Sequence, residues 1–162
     1  VNDHCLTGDT LVMTESGEKP ISDLVGTSGM VWSYNVFTGE KELKQYIYCR
    51  LTQKQVPIWE LKTENGKIVK GTIDHLILTK SGWLELGKCL FESIQLLDGS
   101  FEEVKYIHAV GYADVYNMEV DDNHNFAING GLIVHNCVDS ARYFVKTMHI
   151  AENRKKIQAR WD

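Results

Sequence analysis

Short apolar or alternating runs, separated by turn signals, constrain the fold of this chain more than any other feature. The runs lie at 10–13, 30–34, 58–61, 94–97, 115–120 and 132–134. Between them stand turn pairs such as Asn-Gly at 65–66 and Asp-Gly at 98–99, which suit tight hairpins because both residues tolerate a positive φ. Runs of this length and pattern are typical of strands. The sequence therefore predicts an all-β fold, with one short helical turn between 19 and 25.

The character of the chain changes after Cys137. Asp139 and Ser140 are suited to cap a helix, and residues 141–159 contain neither glycine nor proline. This change predicts a boundary at 136/137, followed by a short helical tail.

Composition and charge argue against several classes of protein. Hydrophobic residues make up 43% of the 162 positions, which is enough for one sizeable core. The net charge of −5 provides no field that would attract nucleic acid, and no apolar run reaches the length of a membrane span. The N-terminal residues also lack the pattern of a secretion signal. We therefore expect a monomeric cytoplasmic domain that binds neither nucleic acid nor membrane.

The four cysteines are widely spread along the chain, at Cys5, Cys49, Cys89 and Cys137. They include no C-x-x-C pair, which argues against a disulfide framework or a structural zinc site. Cysteine is nevertheless a strong nucleophile, and Cys5 stands directly before a turn-forming run that leads into a strand. Taken alone, a cysteine in such a position is more often a buried structural residue.

Two further groups of polar residues accompany predicted strands. Thr72 and His75 lie three residues apart at a strand end, where a lone histidine is usually an ordinary polar residue with satisfied hydrogen bonds. The run over 123–137 is harder to explain by packing, because it places the triplet His-Asn-Cys directly after an apolar strand. This triplet makes a chemical role the better interpretation.

Three segments together resemble the intein family, whose Hint fold is shared with hedgehog autoprocessing domains. They are Cys-Leu-Thr-Gly-Asp-Thr at 5–10, Thr-x-x-His at 72–75, and Asn-Phe followed by Val-His-Asn-Cys within 125–137. The resemblance covers residues 5–136 and implies a flattened, horseshoe-like all-β domain with its termini side by side. It also implies a minimal splicing element, because the domain is too short to hold a homing endonuclease. The flanks, 1–4 and 137–162, would be host segments and the substrate of the reaction.

The resemblance implies an autocatalytic, single-turnover reaction that needs no cofactor. The acyl group of His4 would move from nitrogen to the sulfur of Cys5, and Cys137 would then attack the thioester. Asn136 would cyclise to a succinimide and cut the chain before Cys137. A final sulfur-to-nitrogen shift would join His4 to Cys137 by a peptide bond.

The resemblance also assigns helpers to these steps. His75 would protonate the amide nitrogen that leaves at the first junction, and Thr72 would donate hydrogen bonds there. His124 or His135 would assist the cyclisation of Asn136 by proton transfer.

Asn117 departs from the family pattern, in which aspartate is common at this position. An asparagine side chain forms hydrogen bonds but does not accept a proton near neutral pH. Thiol transfer would therefore be slower here, or would depend on another group such as Asp74 or Asp121.

The joined flanks resemble the last active-site motif of phage terminase large subunits. Removing 5–136 joins Val-Asn-Asp-His to Cys-Val-Asp-Ser-Ala-Arg-Tyr-Phe, and in that family an Asp-Ala/Ser-x-Arg-Tyr segment follows a histidine-containing turn. The aspartate matching Asp139 binds a divalent metal in a nuclease that cuts packaged DNA. The resemblance thus implies a DNA-cutting host, with no metal bound by the short chain itself. The alternative is that Asp139 merely caps the helix that begins near Ser140.

Three other functions remain open on the sequence. A hedgehog-like domain would share the first step but would not need the Asn136-Cys137 pair. A cysteine hydrolase would use Cys5 or Cys137 with a histidine partner. A purely structural β-domain would need none of these residues for chemistry.

Overall fold

A computed structural model describes residues 5–136, which form a twelve-stranded antiparallel sheet. The flanks 1–4 and 137–162, and with them the predicted helical tail, lie outside the described residues. The strands are β1 (Leu6–Thr7), β2 (Leu11–Thr14), β3 (Gly17–Pro20), β4 (Gly29–Asn35), β5 (Glu40–Thr63), β6 (Ile68–Gly71), β7 (Leu76–Thr79), β8 (Gly82–Glu85), β9 (Ser93–Gln95), β10 (Phe101–Val120), β11 (Asn125–Ile128) and β12 (Leu132–His135). Two 3₁₀ helices, Ile21–Leu24 and Leu86–Lys88, interrupt them.

The sheet curls back on itself. Its strands follow the order β11-β12-β7-β9-β10-β1-β6-β5-β4-β2-β3, with β8 paired to β7. Ile128 of β11 also pairs with Val12 of β2, so the first strand in this order meets the last but one. The curvature brings strands from both ends of residues 5–136 into contact.

Both predicted hairpin turns are confirmed. Gly66 (φ 94°) lies in the turn between β5 and β6, and Gly99 (φ 89°) in the turn between β9 and β10. In the second turn, the Asp98 carboxylate accepts a hydrogen bond from the Ser100 backbone nitrogen at 2.9 Å. The helical turn predicted between 19 and 25 is the 3₁₀ helix Ile21–Leu24. Among the described residues no helix is long and apolar enough to cross a membrane.

The long strands β5 and β10 differ from the short strands that the sequence predicts. They contain 24 and 20 residues, and the runs 58–61 and 115–120 are only their ends. Their pairing shifts register at five places, so regular alternation is lost along much of both strands. The sequence pattern therefore detects only the most apolar and buried stretches of this ribbon.

Two clusters of buried apolar residues fill the interior. The larger one includes Leu6, Ile77, Met118 and Phe126, all of them wholly buried. The smaller cluster consists of Cys5, Ile58 and Val115, with two partly buried side chains packed against it. Cys5 thus packs in a small apolar cluster of its own, separate from the main core.

Candidate active site

Cys5 lies between β6 and β10, level with two residues that the sequence singled out. Leu6 pairs with Gly71 of β6 and with Tyr116 of β10. One residue earlier, the same antiparallel register places Cys5 opposite Thr72 on one side and Asn117 on the other. Strand pairing therefore assembles three residues that are far apart in the sequence.

Two hydrogen bonds connect Cys5 with Thr72. The Thr72 backbone nitrogen donates to the Cys5 carbonyl oxygen at 3.0 Å. The Cys5 backbone nitrogen donates to Thr72 Oγ1 at 3.2 Å. The Thr72 hydroxyl therefore accepts a hydrogen bond from this nitrogen, whereas the resemblance implied that it donates one. It accepts because the Cys5 amide nitrogen of the uncleaved chain still carries its hydrogen. A hydroxyl also has one hydrogen to donate, so both roles are open to it.

The turn from Thr72 to His75 connects the two ends of the described chain. His75 is wholly buried, and its backbone nitrogen donates to the Thr72 carbonyl oxygen at 3.1 Å. The following strand, β7, pairs with β12 through Ile77 and Val134. Two residues further in this antiparallel register, His75 is level with Asn136. One turn thus contacts Cys5 at its start and leads at its end into β7, which pairs with β12, the strand directly before Asn136.

Asn136 is held by its backbone while its side chain makes no hydrogen bond within residues 5–136. Its backbone nitrogen donates to the His124 carbonyl oxygen at 2.9 Å. The residue is 2% exposed, yet neither polar atom of its side-chain amide has a hydrogen-bond partner in the described part of the chain. A buried amide without partners costs about 1–3 kcal/mol. Buried polar atoms without partners are rare in folded proteins, so this amide calls for an explanation, of which a catalytic role is one.

His135 contacts the carbonyl group of Asn136. Its Nδ1 lies 2.7 Å from the Asn136 carbonyl oxygen, so this nitrogen must carry a hydrogen to donate. The ring also packs edge-on against Trp83, with ring centroids 5.0 Å apart. Trp83, which nothing in the sequence connects with the site, therefore helps to orient this imidazole.

His124 has a left-handed backbone, with φ 55°, that is uncommon outside glycine. The neighbouring Asn125 is buried, and both the oxygen and the nitrogen of its side-chain amide form hydrogen bonds with β4. Asn125 Oδ1 accepts from the Tyr34 nitrogen at 2.8 Å and lies 2.8 Å from Ser33 Oγ. Asn125 Nδ2 donates to the Tyr34 carbonyl oxygen at 2.9 Å. These contacts fix the segment that holds Asn136, and only the polar triplet at 123–125 signals them in the sequence.

Asn117 is wholly buried, and its Oδ1 accepts a hydrogen bond from the Met118 backbone nitrogen at 2.8 Å. The two carboxylates that the sequence offers as substitutes lie in different places. Asp74 stands in the turn directly before His75, whereas Asp121 follows the end of β10. Asp74 is therefore the one that shares a turn with residues of the site.

Cys49 and Cys89 are structural. Burial raises the pKa of Cys49 to about 11 and the pKa of Cys89 to about 12. Their thiols donate to the backbone carbonyl oxygens of Ile21 and Glu85, at 3.4 and 3.3 Å. Both therefore stay protonated and unreactive near neutral pH. In the described segment, no three His, Cys, Asp or Glu side chains are grouped to hold a metal ion.

Comparison with solved structures decides the family. The chain is similar to the DnaX mini intein from Spirulina platensis, with 34% identity and a TM-score of 0.70. The match covers 82% of this chain and 99% of that one. The chain belongs to the intein family. It is a self-splicing mini-intein with the all-β Hint fold, which confirms the predicted fold class.

A second structure and one curated protein agree with this identification. A variant of the Ssp DnaB mini-intein superimposes on the intein with a TM-score of 0.80 and 26% identity, over 86% of this chain and 99% of that one. The replicative DNA helicase DnaB of Rhodothermus marinus is 33% identical over 81 residues. That match takes in 49% of this chain but only 8% of the helicase. No protein-family model matches the chain.

An intein acts on its own flanking segments, the exteins, and does so once per molecule. This property sets aside the multiple-turnover hydrolase and the purely structural domain as interpretations of the chain. The reaction therefore has to be explained by groups that meet the junctions between the intein and these flanking segments.

Proposed function

We propose that residues 5–136 splice themselves out in four steps, with Cys5, Cys137 and Asn136 as the reacting side chains. In the first step the Cys5 thiol attacks the carbonyl carbon of His4. A carbon–sulfur bond forms, the bond from this carbon to the Cys5 nitrogen breaks, and in net terms the thiol proton passes to that nitrogen. A thioester is less stable than an amide, so this step runs uphill and needs help from the fold.

The contacts at Cys5 supply such help. Thr72 Oγ1 lies 3.2 Å from the nitrogen that leaves, and an acceptor at this position favours the developing amine with its additional hydrogen. Cys5 is wholly buried, which keeps water away from the thioester and so suppresses its hydrolysis. His75, at the other end of the same turn, is the proton donor that we assign to the leaving nitrogen, and it takes up the thiol proton in exchange.

In the second step Cys137 attacks the thioester and takes over the acyl group of His4. A proton passes from the Cys137 thiol to the released Cys5 sulfur, and a branched chain results. Asn117 is level with Cys5 in the sheet, so we assign it to the positioning of this sulfur rather than to proton transfer. Asp74 is the carboxylate that we assign to proton transfer at this stage.

In the third step the Asn136 side-chain nitrogen attacks the Asn136 carbonyl carbon and forms a succinimide. The bond to the Cys137 nitrogen breaks, and that nitrogen gains the proton that the attacking amide loses. His135 Nδ1, 2.7 Å from the carbonyl oxygen, stabilises the negative charge that develops on this oxygen. His124 is the base that we assign to the attacking amide. A sulfur-to-nitrogen shift then joins His4 to Cys137, and this last step runs downhill.

The observation that carries the proposal is the geometry at Asn136. Its amide is buried without a hydrogen-bond partner in residues 5–136, so it gives up no such bond when it attacks. The carbonyl group that it attacks is already bound by a donor on its oxygen. Alignment of this kind is worth on the order of 7–11 kcal/mol of a reaction barrier.

Incubation of the purified chain tests the proposal by intact mass. We expect the precursor to disappear and two products to form. One is the peptide that joins residues 1–4 to 137–162, and the other is residues 5–136, lighter by one water than the free acid because of the succinimide. Release of residues 1–4 without joining, or an excised domain with a free C-terminal carboxyl from the start, would contradict the proposed order.

We further propose that the exteins belong to a phage terminase large subunit. The joined string from Val1 through His4 to Phe144 supports this, because it contains the histidine turn and the Asp-Ser-Ala-Arg-Tyr segment of the motif. Asp139 would be a metal ligand of an RNase H-like nuclease, where clustered carboxylates hold two divalent ions. The intein would then separate a metal ligand from its site, so the unspliced host would not cut DNA.

The full-length host tests this assignment. Asp139→Ala should abolish Mg²⁺- or Mn²⁺-dependent DNA cleavage, while splicing, followed by mass, continues at the unchanged rate. Glu152→Ala removes a carboxylate from the same extein and is the matched control, for which cleavage should persist. A nuclease that survives Asp139→Ala would show that this aspartate only caps a helix.

A further inference from the structure

The strand β5 contains one additional residue beside Cys5. Val115 of β10 pairs with Gln53 of β5. The next residue of β10, Tyr116, pairs with Leu51. Thr52 is therefore the additional residue of a β-bulge, and Tyr116 is also the strand partner of Leu6. Bulges commonly occur next to active sites, where they redirect one side chain.

The bulge places the Thr52 hydroxyl on the sulfur of Cys5. Thr52 Oγ1 lies 2.9 Å from Cys5 Sγ and 3.1 Å from the Val115 carbonyl oxygen. The hydroxyl has a single hydrogen, so it donates to only one of these atoms at a time. While the thiol is neutral, its S–H hydrogen can point to Thr52 Oγ1 and the hydroxyl hydrogen to the carbonyl. When the thiol loses its proton, rotation of the hydroxyl directs its hydrogen to the sulfur.

A donor at this position matters because the surroundings of Cys5 are apolar. Ile58 and Val115 pack against Cys5 in the smaller cluster, together with Val56 and Ala113. Burial of this kind disfavours a thiolate. At the two structural cysteines the sulfur faces backbone carbonyl oxygens, which are acceptors and do not stabilise a negative charge. Cys5 differs in that a side-chain hydroxyl reaches its sulfur.

We propose that Thr52 is a catalytic residue of the first splicing step, whose hydroxyl orients the Cys5 sulfur and stabilises its negative charge during attack on the His4 carbonyl carbon. The hydroxyl neither gains nor loses a proton overall. In net terms the thiol proton passes to the Cys5 nitrogen as the carbon–nitrogen bond breaks and the carbon–sulfur bond forms. This inference rests on the proposed role of Cys5 as first nucleophile.

Thioester formation is measured alone in a chain that carries Asn136→Ala and Cys137→Ala, as the rate at which added dithiothreitol releases residues 1–4. In this background Thr52→Val should slow release at least about tenfold, the size expected for losing a hydrogen bond to a charged atom. Thr52→Ser keeps the hydroxyl and should restore most of the rate. Thr14→Val is the matched control, because Thr14 Oγ1 donates to the Gly17 carbonyl oxygen at 2.7 Å within the β2–β3 hairpin, which contains no strand partner of β1.

Each outcome has a definite meaning. Release from Thr52→Val at the unchanged rate, failure of Thr52→Ser to recover it, or equal slowing by Thr14→Val would overturn the role of Thr52. Cys5→Ala in the same assay tests the underlying function separately, since thiol-dependent release that survives this change would contradict Cys5 as nucleophile. Thr52→Ser also keeps the test valid if Thr52→Val folds poorly.

Discussion

Replacing Cys5 by alanine should abolish the peptide that joins residues 1–4 to 137–162. In the proposed mechanism no thioester forms without the sulfur, so Cys137 has nothing to attack and the first flank stays attached. Cleavage at Asn136 should continue, because its amide, the His124 carbonyl and the His135 ring are untouched. Intact mass should therefore show residues 1–136 and the free second flank, with the joined peptide below detection.

Cys49→Ala is the control for this experiment. It also removes a buried thiol, but one whose pKa burial raises to about 11 and whose neighbours belong to the main core. Splicing should persist in it, apart from any general loss of stability from the small cavity. Joined peptide from the Cys5→Ala chain would show that another group begins the reaction.

Replacing Asn136 by alanine should stop cleavage at the second junction and leave the first junction reactive. The change removes the amide that we propose as the attacking group. Water does not replace an aligned group, since such alignment corresponds to effective concentrations on the order of 10⁵–10⁸ M. We expect cleavage to fall by several orders of magnitude. Added thiol should still release residues 1–4, because the contacts between Cys5 and Thr72 remain.

Asn65→Ala is the matched control for Asn136→Ala. Asn65 precedes a glycine in an exposed hairpin turn, where the following backbone nitrogen tends to attack the asparagine side-chain carbonyl. The proposed reaction at Asn136 is the reverse, because there the side-chain nitrogen attacks the backbone carbonyl. Removing its amide should leave both splicing products unchanged. A succinimide-terminated domain from the Asn136→Ala chain would rule out Asn136 as the cyclising residue.

Much of the fold was predictable where structure depends on neighbours in sequence. Glycine at 66 and 99 adopts the positive φ that a tight turn requires, so these hairpins were correctly placed. The irregular ribbon of β5 and β10 was not predictable in full. Its bulges arise from the pairing of two long strands with each other. Partly exposed polar residues also obscure the alternation of apolar and polar residues that would identify these strands in the sequence.

The candidate reactive residues could also be identified from the sequence, because a thiol, an imidazole and an asparagine before cysteine are recognisable wherever they stand. Their proximity in the folded chain could not be predicted. Thr72 and Asn117 reach Cys5 through pairing across β1, and the strands that follow His75 and precede Asn136 pair with each other through Ile77 and Val134. Thr52 has no signal at all in the sequence, since a bulge exists only between two paired strands. Local sequence thus specifies turns and reactive groups, whereas register between distant strands sets the distances at which those groups react.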